Sequence, residues 1–517
     1  MRLGSAWLAL SLLLILESAL AANILAIFPY RFPSPFKLVN PLMRALTQRG
    51  HKVTMITPVN MPSDIEGVRH IRVPMLDFQT QELIDSDLLM EFLSSKWSES
   101  YLTSKALYNI SYAILSDTGV QQMLRNSSEQ FDIITLETVH MDALFGLAGF
   151  YNAPIMGISA VSINWAVDYL AGNPSPSVYE PISPAGYSWD NSLLSRWYNW
   201  IYITEEQLVE HLIYRPGQLR LLKQFFGYPP EKLNDLRARF SVILMNNHFS
   251  MGRVRANVPN IIEVAGLHLS ELPEPCDEEL QRFLDEAEHG VIYFSMGKEI
   301  LVRFLPETMQ QLLVQTFSKL KQRIVWKREV ETSGNRSHNI YTIHKPPQRQ
   351  VLGHPNVKLF ITNGGLLSTI EAVHSAVPML GLPVFFDQFG NMRRMQMVGI
   401  AESLDINTLT VDSLTTTIRA LIEDPRYARK AKELSQCFKD RPMSPLDTAV
   451  WWTEYALRHK HASHMRMNIE EVSFMRYYSL DNMLMLGLRF GFIAVFVIFL
   501  GFRLVKINQG RQRLIHY

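Results

Sequence analysis

Two cysteines in 517 residues are too few for a disulfide framework: Cys276 and Cys437 allow one bridge at most, and buried free thiols are the simpler expectation. No C-x-x-C or H-E-x-x-H spacing occurs, so the sequence offers no zinc centre of those kinds. An excess of charge of one sign is missing as well. The 50 Lys and Arg residues stand against 49 Asp and Glu, a net charge of +1, which gives nucleic acid no bulk attraction and removes it from the candidate partners. Long apolar runs are confined to the two ends of the chain.

The first run, residues 8–16, follows Arg2 and precedes Ala19-Leu20-Ala21, the pattern of a cleaved secretory signal over residues 1–21. It is shorter than the roughly 20 residues that cross a bilayer. The second run, residues 483–505, is apolar apart from Arg489 and the Arg503 near its end, and a basic tail, residues 506–517 with Lys506, Arg511 and Arg513, follows it. Basic flanks stay on the cytosolic side, so residues from 22 to about 481 are expected in the lumen, with Arg489 snorkelling or paired. Sequons at Asn109, Asn126 and Asn335 agree with that route.

Between the ends, 47% apolar content supports more than one core. Residues 24–28 read as a strand, followed by a helix carrying Leu38, Leu42 and Leu46, closed by Gly50, and a second strand at 53–56. Another buried strand covers 131–136. A second series begins at 291–294, with a helix at 309–320, a strand at 323–326, and a repeat over 357–382. The chain therefore reads as an N-terminal α/β domain over 22–266 and a C-terminal one over 287–442. Residues 267–286, rich in proline and acid, form the connection, and helices over 443–482 lead to the membrane. Ser444, Pro445 and Asp447 mark a helix start, and Trp451, Trp452 and Tyr455 on that helix suit packing across the domains.

The most informative stretch is residues 357–371, a strand that turns through Asn363-Gly364-Gly365 into a helix. Without side chains, the two glycines let an anion reach the unpaired amides of the helix start. Gly364, Ser368 and Glu371 share one face, with Leu366, Ile370 and Val373 opposite, so a polar stripe faces a ligand. A diphosphate at the amides and a ribose on Glu371 suit a nucleotide. Taken alone, a Gly-Gly turn is more often plain helix packing.

The longer pattern decides between them: Pro347-Gln348, Asn363-Gly364-Gly365, Ser368, Glu371, then Pro383-Val384-Phe385-Phe386-Asp387-Gln388. It closely resembles the UDP-glycosyltransferase signature. Gly50-His51, Phe131-Asp132, Tyr293-Phe294-Ser295-Met296-Gly297, the helix over 441–457 and the C-terminal span also fall in family order, so the resemblance covers nearly the whole chain. The style is that of the animal, membrane-anchored UDP-glucuronosyltransferases. The resemblance implies a GT-B fold of two Rossmann-like doubly wound domains, with a small lipophilic acceptor in the first and a UDP-sugar in the second. It implies transfer of a hexose, glucose or glucuronate, with inversion, in a single-pass type I protein of the endoplasmic reticulum. No metal or separate cofactor is implied, the UDP-sugar being a co-substrate, and association with copies or related transferases is common in such families.

Carried over by position, Gln348 and Glu371 would bind the uridine, Ser295, Gly297, Gly364, Gly365 and Ser368 the diphosphate, and Asp387 and Gln388 the sugar hydroxyls. Arg255 would add a phosphate contact. Glu137 would supply the acidic member of the catalytic pair.

Departures from the family pattern carry equal weight. The family's catalytic histidine stands fifteen residues before Gly50, where this chain has Pro35, so the usual pair of base and orienting acid is broken. An amine needs less activation than a hydroxyl, because its lone pair is nucleophilic before deprotonation, and family members lacking this histidine are associated with amine acceptors. His140 is close enough to Glu137 to act instead, although a structural histidine is the simpler reading. Asn363, Lys345 and Lys298 replace a histidine, a tryptophan and a serine of the family. Asn363 donates without charge; Lys345 removes a stacking surface for uracil; Lys298 brings an ammonium beside the 295–297 turn or is simply solvated. Tyr187, Trp189, Trp197, Tyr198, Trp200 and Tyr202 crowd one stretch, as an acceptor pocket, a membrane-facing surface or ordinary core. The expectations are an enzyme first and, second, a weakly active homologue serving as a partner subunit or lipophile binder.

Overall fold

Near-continuous Val, Ile, Leu and Phe segments bounded by turn residues belong to strands covered on both faces, which is the condition of a parallel sheet. A computed structural model describes residues 21–29, 33–59, 65–78, 96–138, 141–160, 165–173, 192–252, 254–297, 305–328, 338–384, 387–467 and 480–515. In the N-terminal half, β1 (Asn23–Ile27), β2 (Lys52–Thr57), β3 (Arg69–Arg72), β4 (Ile133–Glu137), β5 (Ile155–Ser159), β6 (Phe240–Met245) and β7 (Ile261–Glu263) form one sheet in the order β3-β2-β1-β4-β5-β6-β7. In the C-terminal half, β8 (Val291–Ser295), β9 (Arg323–Lys327), β10 (Ile340–Ile343), β11 (Val357–Thr362), β12 (Met379–Gly381) and β13 (Ala401–Ser403) are ordered β10-β9-β8-β11-β12-β13. Every pairing between neighbouring strands is parallel.

Side chains alternate faces along each strand, so each sheet has two cores. Leu25 and Ile27 point into one cluster with Ile114 and Phe240, whereas Ile24 and Ala26 point into another with Leu42 and Met55. Val291 and Tyr293 face Phe360 and Ile370; Ile292 and Phe294 face Phe317 and Trp326. The strand order reverses between β1 and β4 in one sheet and between β8 and β11 in the other. In open α/β sheets the crevice outside the strand ends at such a switch point is where ligands bind.

The connection expected over 267–286 is shorter than that. Leu267 packs in the N-terminal core, and the helix Glu278–Asp285 puts Leu280 and Leu284 into the C-terminal core, because its apolar positions repeat at helical spacing. Residues 270–275 between them are exposed. The helix Pro445–His459 starts as expected, with Ser444 Oγ accepting from the Asp447 amide at 3.0 Å. It returns to the N-terminal half through Ala449, Val450 and Ala456 rather than through its aromatics. Trp451 and Tyr455 stack on each other at 5.3 Å, and only Trp452 packs against that core. Cys276 and Cys437 are free thiols, but Cys437 is exposed, on the outer face of the helix Pro425–Lys439.

Trp197 and Tyr198 are 64% and 54% exposed on the helix Leu193–Val209. The side chains of Tyr187, Trp189, Trp200 and Tyr202 lie outside the described residues. Of the sequons, Asn126 sits in an exposed turn with Ser128, whereas Asn109 lies within the helix Lys96–Ser116 with Ser111 buried; Asn335 lies outside the described residues.

Residues 467–517 form a separate unit built on one helix, Leu480–Ile515. Its 26-residue stretch Asn482–Ile507, whose most apolar 18 residues have a mean hydropathy of 2.5, is long and apolar enough to cross a membrane. The helix continues through Arg511 and Arg513, so most of the tail expected over 506–517 is helical. The proposed signal segment lies outside the described residues, apart from Ala21.

Candidate active site

The two strands flanking the C-terminal switch point run side by side, with Thr362 paired to Ser295, so the turns leaving them share one edge. Gly364 has φ of +82°, and a Cβ there would lie 2.5 Å from Met392 Cγ and 3.1 Å from the Gln388 carbonyl. No other residue suits that position. Gly365 then caps the helix Leu366–His374 without any side-chain hydrogen bond, which leaves the first amides of the helix without an intrahelical acceptor. An anion fits such an end. Gly364→Ala is expected to cost about 2 kcal/mol or more through strain and overlap. Thermal melting of the detergent-solubilised protein checks this, with Gly365→Ala as the control, since its Cβ would meet only Asn363 Oδ1 at 3.7 Å.

Beside this turn the structure brings together Gln348 and Glu371, expected at the uridine, and Ser368, expected at the diphosphate. Gln348 opens the short helix Gln348–Leu352 after Pro347. Its amide nitrogen donates to Glu371 Oε2 at 2.7 Å and to Ser368 Oγ at 3.0 Å, and its oxygen accepts from the Tyr293 hydroxyl at 3.0 Å. Glu371 is 3% exposed, so the stripe expected on the helix face is a buried polar cluster, in which a carboxylate has to be held by donors. Burial pushes the Tyr293 phenol far up, keeping it a neutral donor.

The other residues are arranged around the turn. Asn363 is buried; its Oδ1 accepts from the Gly365 amide at 3.4 Å, while Thr362 Oγ1 accepts from the Gly364 amide at 3.2 Å. Asp387 precedes the helix Gln388–Val398, and its Oδ2 accepts from Asn391 Nδ2 at 2.9 Å. The same Asn391 amide donates to the Gly364 carbonyl at 3.0 Å, tying the residue expected at the sugar to the glycine turn. Gln388 is buried, and its Oε1 accepts from the Val384 amide at 2.9 Å, so its side chain is turned to the backbone. Ser295 Oγ accepts from the Gly297 amide at 3.3 Å, and the ammonium found at that turn is Lys327, which donates to the Gly297 carbonyl. Lys298 lies outside the described residues, and Lys345 is exposed. Arg255 donates to Asp168 at 2.6 Å within the N-terminal half, an ion pair with Asp168 only 3% exposed.

Asn391 and Lys327 were not among the residues singled out from sequence, and Tyr293 was noted only as the start of the 293–297 run, without a role. Asn391 carried a usable signal, since it stands four residues after Asp387 on a helix. Lys327 had none, and nothing local assigned Tyr293 its bond to Gln348, because both reach the site through strand pairing.

At the switch point of the N-terminal sheet, Glu137 ends β4 next to β1, whose Ile27 is paired with Leu136. Its side chain is buried, Oε2 has no hydrogen-bond partner among the described residues, and the backbone of Ala160 is the polar group among them that supports it. Burial pushes its carboxyl from the ordinary 4.5 up to about 8. Pro35 lies in the first turn of the helix Pro33–Gln48, which follows β1. His140 lies outside the described residues.

The raised value has a stability consequence with a definite sign. Between pH 4.5 and about 8 the folded chain holds a proton at Glu137 that the unfolded chain has released, so this residue's contribution is fully present below 4.5 and is lost as pH rises to 8. The melting temperature of Glu137→Gln minus that of the wild type is therefore expected to grow from pH 5 to pH 8.5. A constant difference would show that Glu137 ionises normally.

Two doubly wound parallel sheets, each with polar residues gathered at its switch point, constitute a GT-B glycosyltransferase fold. Solved structures agree: the chain is similar to the glycotransferase of kitacinnamycin (TM-score 0.56, 15% identity, 85% of this chain and 99% of that one) and to the glycosyltransferase VinC (0.55, 15%, 84% and 99%). Residues 34–511 match the UDP-glucoronosyl and UDP-glucosyl transferase family, and the chain belongs to it. Among its relatives are UDP-glycosyltransferase UGT5 of Dactylopius coccus, 32% identical over 96% of this chain and 94% of that protein, and a 2-hydroxyacylsphingosine 1-beta-galactosyltransferase of Rattus norvegicus, 28% identical over 93% and 88%. UDP-glucuronosyltransferase 2C1 of Oryctolagus cuniculus is 27% identical over 85% and 90%. The chain is thus an enzyme of a family that transfers sugar from UDP-sugars.

Proposed function

We propose that this enzyme moves glucose or glucuronate from UDP to the nitrogen of a small lipophilic amine, with inversion at the anomeric carbon. The observation that supports it most is the Tyr293–Gln348–Glu371–Ser368 cluster beside an uncapped helix start, which offers hydrogen-bonding groups to a nucleoside within reach of amides suited to a diphosphate. On binding, Gln348 and Glu371 exchange their mutual hydrogen bond for those to uracil and ribose. Asp387, steadied by Asn391, receives the sugar hydroxyls.

The amine lone pair attacks the anomeric carbon from the side opposite UDP; the carbon–nitrogen bond forms, the carbon–oxygen bond to UDP breaks, and UDP leaves with the electron pair. The nitrogen then loses a proton, and ionised Glu137 is the acceptor for it. No metal or separate cofactor enters this scheme. Pro35 has no titratable group, so hydroxyl acceptors find no base at the position where the family carries its histidine. The basic residues that end the apolar helix favour a cytosolic C-terminus, with the transferase part in the lumen of the endoplasmic reticulum.

The test is turnover by membranes carrying the full chain, with radiolabelled UDP-glucose and UDP-glucuronate against a panel of phenols and aromatic amines. Product with amines and not phenols supports the reading. UDP binding without turnover on either class would instead favour a partner subunit of related transferases.

A further inference from the structure

One buried imidazole stands between the two halves and faces the nucleoside cluster. His268 lies on the 3-10 turn Leu267–Leu269, by which the chain leaves the N-terminal core. Its side chain is 1% exposed; among the described residues neither ring nitrogen makes a hydrogen bond of good geometry, and the Leu367 backbone is the polar group that supports the ring. Its Nε2 lies 3.6 Å from Glu371 Oε1, while Gln348 holds the other oxygen of that carboxylate. Lys37 reaches toward it from the helix Pro33–Gln48, and Arg349, His374 and the Leu367 backbone from the C-terminal half. Burial and those cations lower its pKa to about 3, so the ring is neutral and carries one N–H donor.

A buried polar ring with only one backbone group to support it is unfavourable unless something claims its second nitrogen. Among the described residues the carboxylate 3.6 Å away is the one charged acceptor its ring faces at that range, and a small side-chain shift closes the gap to a hydrogen bond. The turn that carries it is also fastened to the C-terminal half, since Arg349 donates to the Leu269 carbonyl at 2.9 Å. Glu371, by the function proposed above, takes the ribose.

We infer that His268 is a positioning residue of the nucleotide site: its ring N–H holds Glu371 in the orientation that receives the ribose hydroxyls, so the segment joining the two halves is coupled to nucleotide occupancy. The inference rests on the reading of Glu371 as the ribose acceptor. A ring acting only as filler would be replaceable by an apolar side chain of similar size without any effect on the donor.

The experiment uses the full-length protein in detergent, with UDP as the probe in calorimetry and UDP-sugar kinetics alongside. His268→Leu is expected to weaken UDP binding and raise the UDP-sugar KM about tenfold, the effect of one lost hydrogen bond to a charged group, with kcat within about twofold. His268→Gln, which keeps an N–H donor, is expected to recover most of the affinity. Wild-type affinity in His268→Leu overturns the inference, and so does a His268→Gln variant no better than Leu. If the Leu variant melts early, the Gln variant alone decides, near-wild-type affinity supporting the inference and a tenfold loss overturning it. A wild-type protein that binds no UDP overturns the nucleotide reading itself, and this inference with it.

Discussion

Replacing Pro35 by histidine is expected to raise kcat/KM for a phenolic acceptor by about 100-fold or more while changing amine turnover far less. A positioned base typically contributes 10²–10⁴-fold, and the hydroxyl acceptor depends on that term more than the amine does. The backbone tolerates the exchange. Residue 35 lies in the first turn of the helix Pro33–Gln48, where amides have no intrahelical acceptor, so restoring an N–H there disturbs no existing hydrogen bond. An imidazolium near Glu137 would also draw its carboxyl down from about 8, because an opposite charge favours the ionised form. The rising limb of the pH–rate profile should accordingly move to lower pH in Pro35→His. Adding Glu137→Gln to that variant should remove most of the gain. A phenol rate unchanged by Pro35→His would mean that residue 35 does not face the acceptor.

The second large effect is expected at Glu371. Removing its carboxylate in Glu371→Ala deletes the acceptor for the ribose hydroxyls and strips Gln348 of its 2.7 Å partner, leaving Ser368. Hydrogen bonds to charged groups contribute about 1.5–3 kcal/mol each, so UDP affinity should fall about 100-fold. Glu371→Gln, which retains one acceptor oxygen, should fall less. Calorimetric titration with UDP is the direct measurement. Equal UDP affinity in wild type and Glu371→Ala would remove the uridine from this cluster and leave the glycine turn as a packing corner.

What the sequence disclosed and what it hid follow from the range of the interactions. The strands ending at Thr362 and Glu137 and the turn at Gly364 were legible, because apolar runs, helical spacing and a glycine at positive φ are local features. The pairing of both chemistry-bearing strand ends at switch points followed from strand order, which local periodicity does not encode. So did the bond between Gln348 and Glu371, the Lys327 ammonium at Gly297, and the ion pair of Arg255 with Asp168. The aromatic row on the helix Pro445–His459 misled in a different way. Large rings suggested the contact surface, yet two alanines and a valine form its buried part with Trp452 at its margin, because small side chains let a helix approach closely, while Trp451 and Tyr455 stack on each other.

That helix has a consequence for anyone dividing the molecule. Because residues 445–459 are chemically part of the N-terminal core while following the C-terminal sheet in sequence, a single cut between the sheets yields two incomplete pieces. The first piece would expose the apolar floor that Ala449, Val450 and Ala456 cover, and the second would carry an orphaned amphipathic rod. A chimera that exchanges acceptor specificity between relatives therefore needs two junctions, one near residue 272 and one near 443, so that the returning segment travels with the half it completes.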